Sequence, residues 1–216
     1  MDYPTPVQKH GFLWEHELIC NVYGAMKEEL QSLNYIGKAD LPSKFNRLDN
    51  CDLSIKVSGR LNSVCMADCL RIYDAVDGQL HMTVIHYKQN GMKKTIINII
   101  EIDLTSSREI LFGTITRSQI EELDKAIKSI PQKRKPTPDE HKQLYSMRDK
   151  LQSQSKSIHF DIKCNSTQSR LQCSFNKFQT FIKENSERIV AQSSTNEFRN
   201  GKISLEIISP CRVFNK

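Results

Sequence analysis

The chain has 216 residues, of which 38% are hydrophobic, and its mean hydropathy of −0.51 is polar for a globular protein. This length suits one large domain with a sizeable core. Lysine and arginine outnumber aspartate and glutamate by 31 to 25, and the resulting charge of +6 suits a polyanionic partner without requiring one. No apolar run approaches transmembrane length and no secretory signal opens the sequence, so we expect a soluble, intracellular (cytoplasmic) protein without a membrane partner.

Several common classes of site lack their sequence patterns. The seven cysteines form no CxxC pair, and the histidines show neither HxxxH nor Cys–His metal spacing. Nucleotide-binding glycine motifs and a hydrolase nucleophile elbow are also missing. Cysteines within apolar runs are typical of buried free thiols in a reducing compartment.

The predicted elements mix helices with hairpins, which indicates an α/β (α+β) fold with a mixed central sheet flanked by helices. A helix is predicted over residues 12–33 from its apolar spacing, with Trp14 as a core anchor. The next predicted elements are a loop over 34–50, a strand over 52–58, a short strand or helix start followed by a helix over 65–76, and two strands over 79–87 and 94–104 joined at Asn90-Gly91. Helices are predicted over 116–130 and 138–153, and strands over 157–164 and 170–175. The last predicted elements are a helix over 178–192 and a strand over 203–208.

The strand over residues 52–58 alternates strictly between apolar and polar residues. Leu53, Ile55 and Val57 share one face, and the opposite face carries Asp52, Ser54, Lys56 and Ser58. An acid and an ammonium group fixed on one strand face suit metal-assisted phosphate chemistry. The same pattern also fits an ordinary surface ion pair on a half-exposed sheet.

Other carboxylates lie near this strand in the sequence. The candidate set for phosphodiester hydrolysis consists of Glu17, Asp40, Asp52, Lys56 and Asp68. Carboxylates hold Mg²⁺ because a hard cation prefers oxygen ligands. The metal lowers the pKa of its bound water and neutralises charge, and a lysine can orient the water or stabilise the transition state.

The segments GFLWEHE, ADLPSKFN, DLSIK and MADCLRIYD resemble the type II restriction enzymes of the PD-(D/E)XK nuclease group, over about residues 12–74. The resemblance implies a restriction-endonuclease-like core, a Mg²⁺ cofactor and a catalytic set of Asp40, Asp52, Ser54, Lys56 and Glu17. Asp40 matches the first acid, Lys56 the lysine and Glu17 the helix acid. Ser54 stands where the group usually carries Asp or Glu, so Asp52 on the same face would join Asp40 and Glu17 as metal ligand.

A second match to the motif lies further along the chain. Pro138-Asp139 and Asp161-Ile162-Lys163 also spell PD…DxK. Pro and Asp are common in the first turn of a helix for structural reasons, which favours that interpretation of Asp139. The Asp161–Lys163 pair on its amphipathic strand is left open.

The segment over residues 158–175 is rich in side chains that read base edges, and these candidates for DNA binding are Lys163, Asn165, Ser166, Gln168, Arg170 and Gln172. A polar hairpin loop would need similar residues for its turn. The basic stretch over residues 128–150 fits either phosphate contact or a solvated linker.

Taken together, these patterns predict one nuclease domain over residues 1–216, with a core over about 12–130 and recognition elements within about 138–216. The predicted activity is sequence-specific hydrolysis of phosphodiester bonds in double-stranded DNA with Mg²⁺. The resemblance also implies a homodimer. The alternatives are a non-catalytic DNA-binding protein on the same fold and a protein-interaction domain.

Overall fold

A computed structural model describes residues 9–26, 28–29, 39–131, 134–165 and 168–208, with side chains from residue 12 onward. The chain divides into two compact units that interleave along the sequence. The first unit comprises Met1–Leu61, Leu80–Leu104 and Ile182–Lys216, and the second comprises Asn62–Gln79 and Thr105–Phe181. The predicted boundary near residue 130 follows a different division, and the single nuclease domain stays a prediction.

The structure is a mixed α/β protein with one five-stranded sheet, two smaller sheets and six α-helices among the described residues. The elements are α1 (Lys9–Asn21), a 3₁₀ turn (Ser43–Phe45), β1 (Asp52–Ser58), β2 (Val64–Asp68), α2 (Cys69–Ala75), β3 (Leu80–Asn90), β4 (Lys93–Asp103), α3 (Arg108–Phe112), α4 (Arg117–Lys128), α5 (Pro138–Gln152), β5 (Ile158–Cys164), β6 (Ser169–Phe175), α6 (Phe178–Glu184), a 3₁₀ turn (Ser186–Arg188), β7 (Ile189–Ser193), β8 (Glu197–Phe198), β9 (Gly201–Lys202) and β10 (Glu206–Ile208).

The first unit is built on the five-stranded sheet. β1 is parallel to β3, β3 and β4 form an antiparallel hairpin, and β10 and β7 both pair antiparallel with β4. The predicted hairpin is confirmed, but its turn lies one residue further along, at Gly91-Met92, because Asn90 pairs with Lys93; the φ of +57° at Gly91 suits a glycine. The predicted mixed sheet in a mixed α/β protein is therefore confirmed.

α1 packs on one face of this sheet through an apolar stripe. Trp14 and Leu18 are fully buried against Leu53 and Ile55 of β1, which confirms both the core anchor and the apolar face of the strand. The predicted helix over residues 12–33 is too long, because α1 ends at Asn21 and Gly24 turns the chain with a φ of +74°. Leu30 and Leu33, which belong to the apolar spacing of the predicted helix, lie outside the described residues.

The second unit has a three-stranded antiparallel sheet in the order β2-β6-β5. The predicted helices over residues 116–130 and 138–153 are confirmed as α4 and α5, each with a capping box, from Thr116 and Thr137. The predicted strands on either side of residue 165 are confirmed as β5 and β6. None of the described helices is long and apolar enough to cross a membrane.

The C-terminal segment departs from the predictions. The predicted helix over residues 178–192 is wrong beyond Glu184, because Ile189–Ser193 pairs with β4 as a strand. The β-branched Ile189 and Val190 favour that strand, and pairing with a sheet edge outweighs the apolar spacing. The predicted strand over 203–208 is confirmed only as Glu206–Ile208, after the short β8–β9 hairpin.

The segment after β8 fixes the position of α1. Trp14 Nε1 donates to the Ser204 carbonyl (2.7 Å), and the Asn21 side chain donates to the Lys202 carbonyl (3.2 Å). Gly201 lies so close to the helix end that a Cβ there would stand 2.3 Å from the Asn21 carbonyl oxygen. Only a glycine allows this close approach.

We predict that Gly201→Ala lowers the free energy of unfolding by about 1–3 kcal/mol, because the added methyl group must push α1 away from β9. The matched control is Gly78→Ala, where a Cβ would meet only the Ala75 carbonyl oxygen at 3.6 Å. Its stability should stay within about 0.5 kcal/mol of the parent protein. Chemical denaturation measures both variants, and equal stabilities would contradict the close packing of α1 on β9.

Candidate active site

Asp40 is held beside β1 by backbone hydrogen bonds. Leu41 and Leu53 form an antiparallel bridge, with Leu53 N donating to the Leu41 carbonyl (2.8 Å) and Leu41 N to the Leu53 carbonyl (3.0 Å). Asp40 N donates to the same Leu53 oxygen (2.9 Å). The bridge therefore fixes Asp40 next to the polar residues of β1.

The Asp40 carboxylate accepts three hydrogen bonds from β1. Its Oδ2 accepts from Ile55 N (2.6 Å), Lys56 Nζ (3.0 Å) and Ser54 Oγ (3.1 Å). Among the hydrogen bonds of the described residues, all those to this carboxylate fall on Oδ2. Its Oδ1 is accordingly the oxygen that remains for a ligand.

Lys56 is the cation of this group and is largely shielded from solvent. Its side chain is 13% exposed and that of Asp40 is 20% exposed. Lys56 Nζ also donates to the Ile55 carbonyl (3.0 Å), so two acceptors fix its position. Partial burial makes this ion pair less screened than one on the open surface.

Glu15 of α1 is the second carboxylate at this place. Burial and, to a smaller extent, the charge of Asp40 raise its pKa to about 7, against the opposing charge of Lys56. The charges of Asp40 and Lys56 therefore both act on the Glu15 carboxyl. Two acids that repel each other and one ammonium group thus meet beside β1, where we define the acid–lysine site as Glu15, Asp40, Ser54 and Lys56.

The helix acid predicted from the sequence, Glu17, lies on another side of α1. It is about 200° from Glu15 around the helix axis, and its carboxylate accepts hydrogen bonds from Ser204 N (2.6 Å) and Ser204 Oγ (2.7 Å). The structure therefore brings Glu15, rather than Glu17, to Asp40 and Lys56. The sequence does contain a clue, because Glu15 falls within the apolar stripe of Trp14 and Leu18.

Two other predicted acids serve local structure. Asp52 Oδ1 accepts a hydrogen bond from Ser43 N (2.8 Å), so this carboxylate supports the 3₁₀ turn before β1. Asp68 caps α2 by accepting from Arg71 N (2.9 Å) and belongs to the second unit. Ser54, at the position of the missing acid, is only 4% exposed and donates to Asp40. Neither Asp52 nor Asp68 contacts Asp40 or Lys56 through a hydrogen bond among the described residues.

The two acids of the second PD…DxK match have local structural roles. Asp139 lies in the first turn of α5, beside the Thr137 capping box, where a carboxylate favours the helix dipole. Asp161 lies on β5 and its Oδ2 accepts from Ser174 Oγ (2.8 Å). Lys163 is two residues further along the same strand.

The predicted DNA-reading residues lie on the β5–β6 hairpin of the second unit. Lys163 and Arg170 face each other across the two strands. Asn165 closes the turn through two hydrogen bonds to Gln168. Its side-chain Oδ1 accepts from Gln168 N (2.9 Å), and its backbone N donates to the Gln168 carbonyl (2.9 Å). Ser166 lies outside the described residues.

The polar face of β6 is more buried than the sequence predicts. Gln172 is 7% exposed. Its side-chain amide satisfies its neighbours when the oxygen faces Arg170, where it accepts from Nε (3.1 Å) and Nη2 (2.8 Å). Ser174 is 4% exposed. Little of Gln172 is therefore available to a base edge, whereas Arg170 and Lys163 are partly exposed.

Much of the basic stretch is paired with acids. Lys128 Nζ lies 2.5 Å from Asp124, and Arg134 binds Glu140 with an Nη2–Oε1 distance of 2.6 Å. Lys142 and Lys150 of α5 are exposed, and Lys133 lies outside the described residues. Phosphate contact by this stretch would therefore depend on a few exposed lysines.

We predict that Glu15 makes the metal-free protein less stable as the pH rises from about 4.5 to about 7. The folded carboxyl, with a pKa of about 7, keeps its proton over a range in which the unfolded one, at 4.5, has lost it. The free energy of unfolding of Glu15→Gln, relative to the parent, should therefore increase with pH by at most about 3 kcal/mol and then level off. Denaturation in chelating buffer at several pH values measures this difference.

The neighbouring charges give a matched test of the same effect. Asp40→Asn removes a charge that raises the pKa of Glu15, so the pH range over which Glu15 lowers the stability should move to lower values. Lys56→Met removes a charge that lowers it, so the same range should move to higher values. Parallel pH profiles for the parent and Glu15→Gln would contradict the placement of Glu15 in the acid–lysine site.

Comparison with models of protein families, with curated proteins and with solved structures finds no match to this chain.

Proposed function

We propose that this protein is a Mg²⁺-dependent nuclease that hydrolyses phosphodiester bonds of double-stranded DNA. The observation that carries the proposal is the convergence of Glu15, Asp40 and Lys56 beside β1. Two carboxylates and a fixed ammonium group are the side chains that metal-assisted phosphate hydrolysis requires. The finer assignment is a sequence-specific endonuclease with a restriction-endonuclease-like core.

The acid–lysine site fits a magnesium ion by the chemistry of its donors. Glu15 and Asp40 Oδ1 would hold it, and every donor there is an oxygen, which a hard cation prefers. A divalent cation would also relieve the repulsion between the two carboxylates, which the raised pKa of Glu15 reports. When bound, Mg²⁺ supplies a water of lowered pKa and neutralises charge on the phosphate.

Lys56 is suited to orient a reacting group at this position. Its ammonium group stands 3.0 Å from Asp40 Oδ2 and 3.0 Å from the Ile55 carbonyl, so these two acceptors fix its position. A water or phosphate oxygen bound at Asp40 would lie within its reach. The positive charge would favour a developing negative charge there.

Ser54 shapes both the proposal and its alternative. Its hydroxyl fixes the Asp40 carboxylate but carries no charge, so Glu15 must supply the second acid. If Glu15 does not act as a ligand, the site lacks the charge to hold Mg²⁺. The protein would then be a non-catalytic DNA-binding protein on the same fold.

Double-stranded DNA is the proposed substrate for two reasons. The net charge of +6 suits a polyanion, and the β5–β6 hairpin presents Lys163 and Arg170 side by side. The resemblance to type II restriction enzymes adds a homodimer acting on a palindromic site, since two-fold protein symmetry matches such a site.

Cleavage of a long DNA with Mg²⁺, and with chelator instead, tests the activity. We expect a discrete fragment ladder only with Mg²⁺. Lys56→Ala, Asp40→Asn and Glu15→Gln should each lower the cleavage rate by at least about 100-fold while DNA binding survives. The control Lys125→Ala removes an exposed lysine of α4 and should cleave at the parent rate.

Three results would redirect the proposal. Salt-dependent DNA binding without cleavage by the parent protein would establish the non-catalytic alternative. Absence of salt-dependent binding would favour a protein-interaction domain. Parent-like cleavage by Lys56→Ala would remove the acid–lysine site from the mechanism.

We predict that Arg170→Ala lowers the preference for the cognate site over random DNA. A bidentate base contact discriminates by about 1–3 kcal/mol, whereas a phosphate contact acts on all sequences alike. Lys142→Ala, at an exposed position of α5, should weaken binding to both duplexes equally. Competition binding with cognate and scrambled duplexes measures the ratio, and an unchanged ratio for Arg170→Ala would exclude it from recognition.

A further inference from the structure

Three metal-ligating side chains of different chemistry converge elsewhere in the first unit. Asp49 and Cys51 lie in the loop before β1, and His81 lies near the start of β3. One carboxylate oxygen, the thiol sulfur and one imidazole nitrogen lie within 4.8 Å of one another. We propose that these three residues bind one zinc-type divalent ion, separate from the magnesium ion of the acid–lysine site.

The donor set selects the class of metal. A sulfur, a nitrogen and an oxygen suit borderline-soft ions such as Zn²⁺, whereas Mg²⁺ is excluded by the sulfur. Ligand atoms of a tetrahedral zinc site lie about 3.3–3.8 Å apart, as bond lengths of 2.0–2.3 Å require. Small side-chain rotations close the present spacing to that distance.

His81 is already oriented as a ligand. Its Nδ1 donates to Glu101 Oε1 (2.8 Å), because a carboxylate can only accept, and Nε2 would bind the metal in place of its proton. Glu101 is fully buried and cannot rotate into solvent. A carboxylate behind a ligating histidine is the usual second partner of zinc sites, so Glu101 is a positioning residue here.

The charges around the three ligands balance a divalent ion. Arg199 binds Asp49 through two hydrogen bonds (2.6 and 3.1 Å) and also contacts Glu101 Oε2 (2.9 Å). The charges of Arg199 and Glu101 cancel, and a divalent ion cancels the Asp49 carboxylate and a Cys51 thiolate. The partly buried cluster is then neutral, which avoids the cost of burying net charge.

The arrangement of Cys51, His81 and Glu101 would also suit a nucleophilic thiol, with His81 as its base and Glu101 behind the imidazole. The surroundings of Cys51 favour the metal. Asp49 adds a third ligand atom beside the thiol and the imidazole, and Cys51 is only 6% exposed, which restricts access of a substrate. Asn46 also fixes the loop, donating to the Cys51 carbonyl (3.0 Å).

The full-length chain is stripped with chelator and reloaded with Zn²⁺, or with Co²⁺ as a spectroscopic probe. We expect one Zn²⁺ per chain, a higher melting temperature and a thiolate-to-cobalt charge-transfer band. Cys51→Ser and His81→Gln should each weaken Zn²⁺ binding by at least about tenfold, and Cys51→Ser should abolish the band. The control Cys65→Ser removes an exposed cysteine of the second unit and should leave both unchanged.

A chain that retains no Zn²⁺, or a charge-transfer band that persists in Cys51→Ser, would overturn the site. X-ray absorption of the zinc-loaded parent protein needs no variant, and we expect one sulfur together with nitrogen and oxygen neighbours. A shell without sulfur would overturn it as well. So would alkylation of Cys51 by iodoacetamide at a rate that excess Zn²⁺ does not change.

Discussion

The buried carboxylate of Glu101 imposes the constraint around which the first unit is arranged. It is fully buried on β4, and an isolated charge at such a position would be strongly unfavourable. Burial acts to raise the pKa of Glu101, but hydrogen bonds and charge from His81 and Arg199 outweigh it and lower that pKa. The carboxylate is therefore kept ionised by partners from distant parts of the chain.

These partners tie the segments that surround the acid–lysine site. Tyr23, just after α1, donates to Glu101 Oε2 (3.1 Å) and lies 2.7 Å from the Thr83 hydroxyl on β3. Arg199 joins the β8–β9 turn to the loop before β1 and adopts a φ of +53°, a left-handed conformation that only strong local contacts maintain. Burial acts to lower the pKa of His81, but its contacts with Cys51 and Glu101 raise it to about 10. Tyr23 thereby links the segment that follows α1 to β3 and β4.

The sequence predicted the part of the site that depends on local geometry. Alternation along β1 places Ser54 and Lys56 on one face whatever the tertiary structure. Asp40 was predicted because it lies close to that strand in the sequence. The helix acid could not be chosen in the same way, because Glu15 and Glu17 differ only in how α1 rotates against the sheet. That rotation is set by Trp14, which packs against the sheet and bonds Ser204, far away in the sequence.

Long-range pairing also explains what the sequence did not predict. The cluster of Asp49, Cys51 and His81 joins a loop to a strand that begins some distance later, so no local spacing motif reveals it. The strand β7 was predicted as helix because its apolar residues are spaced ambiguously, and only the open edge of β4 decides its conformation. Both cases depend on partners rather than on the segment itself.

The proposed function depends on a metal ion held by Glu15 and Asp40. Anomalous diffraction from crystals soaked in Mn²⁺, a substitute for Mg²⁺, locates that ion directly. The account predicts a peak within bonding distance of Glu15 and of Asp40 Oδ1, near Lys56. A peak beside Asp139 and Asp161 instead, or none near Asp40, would contradict it.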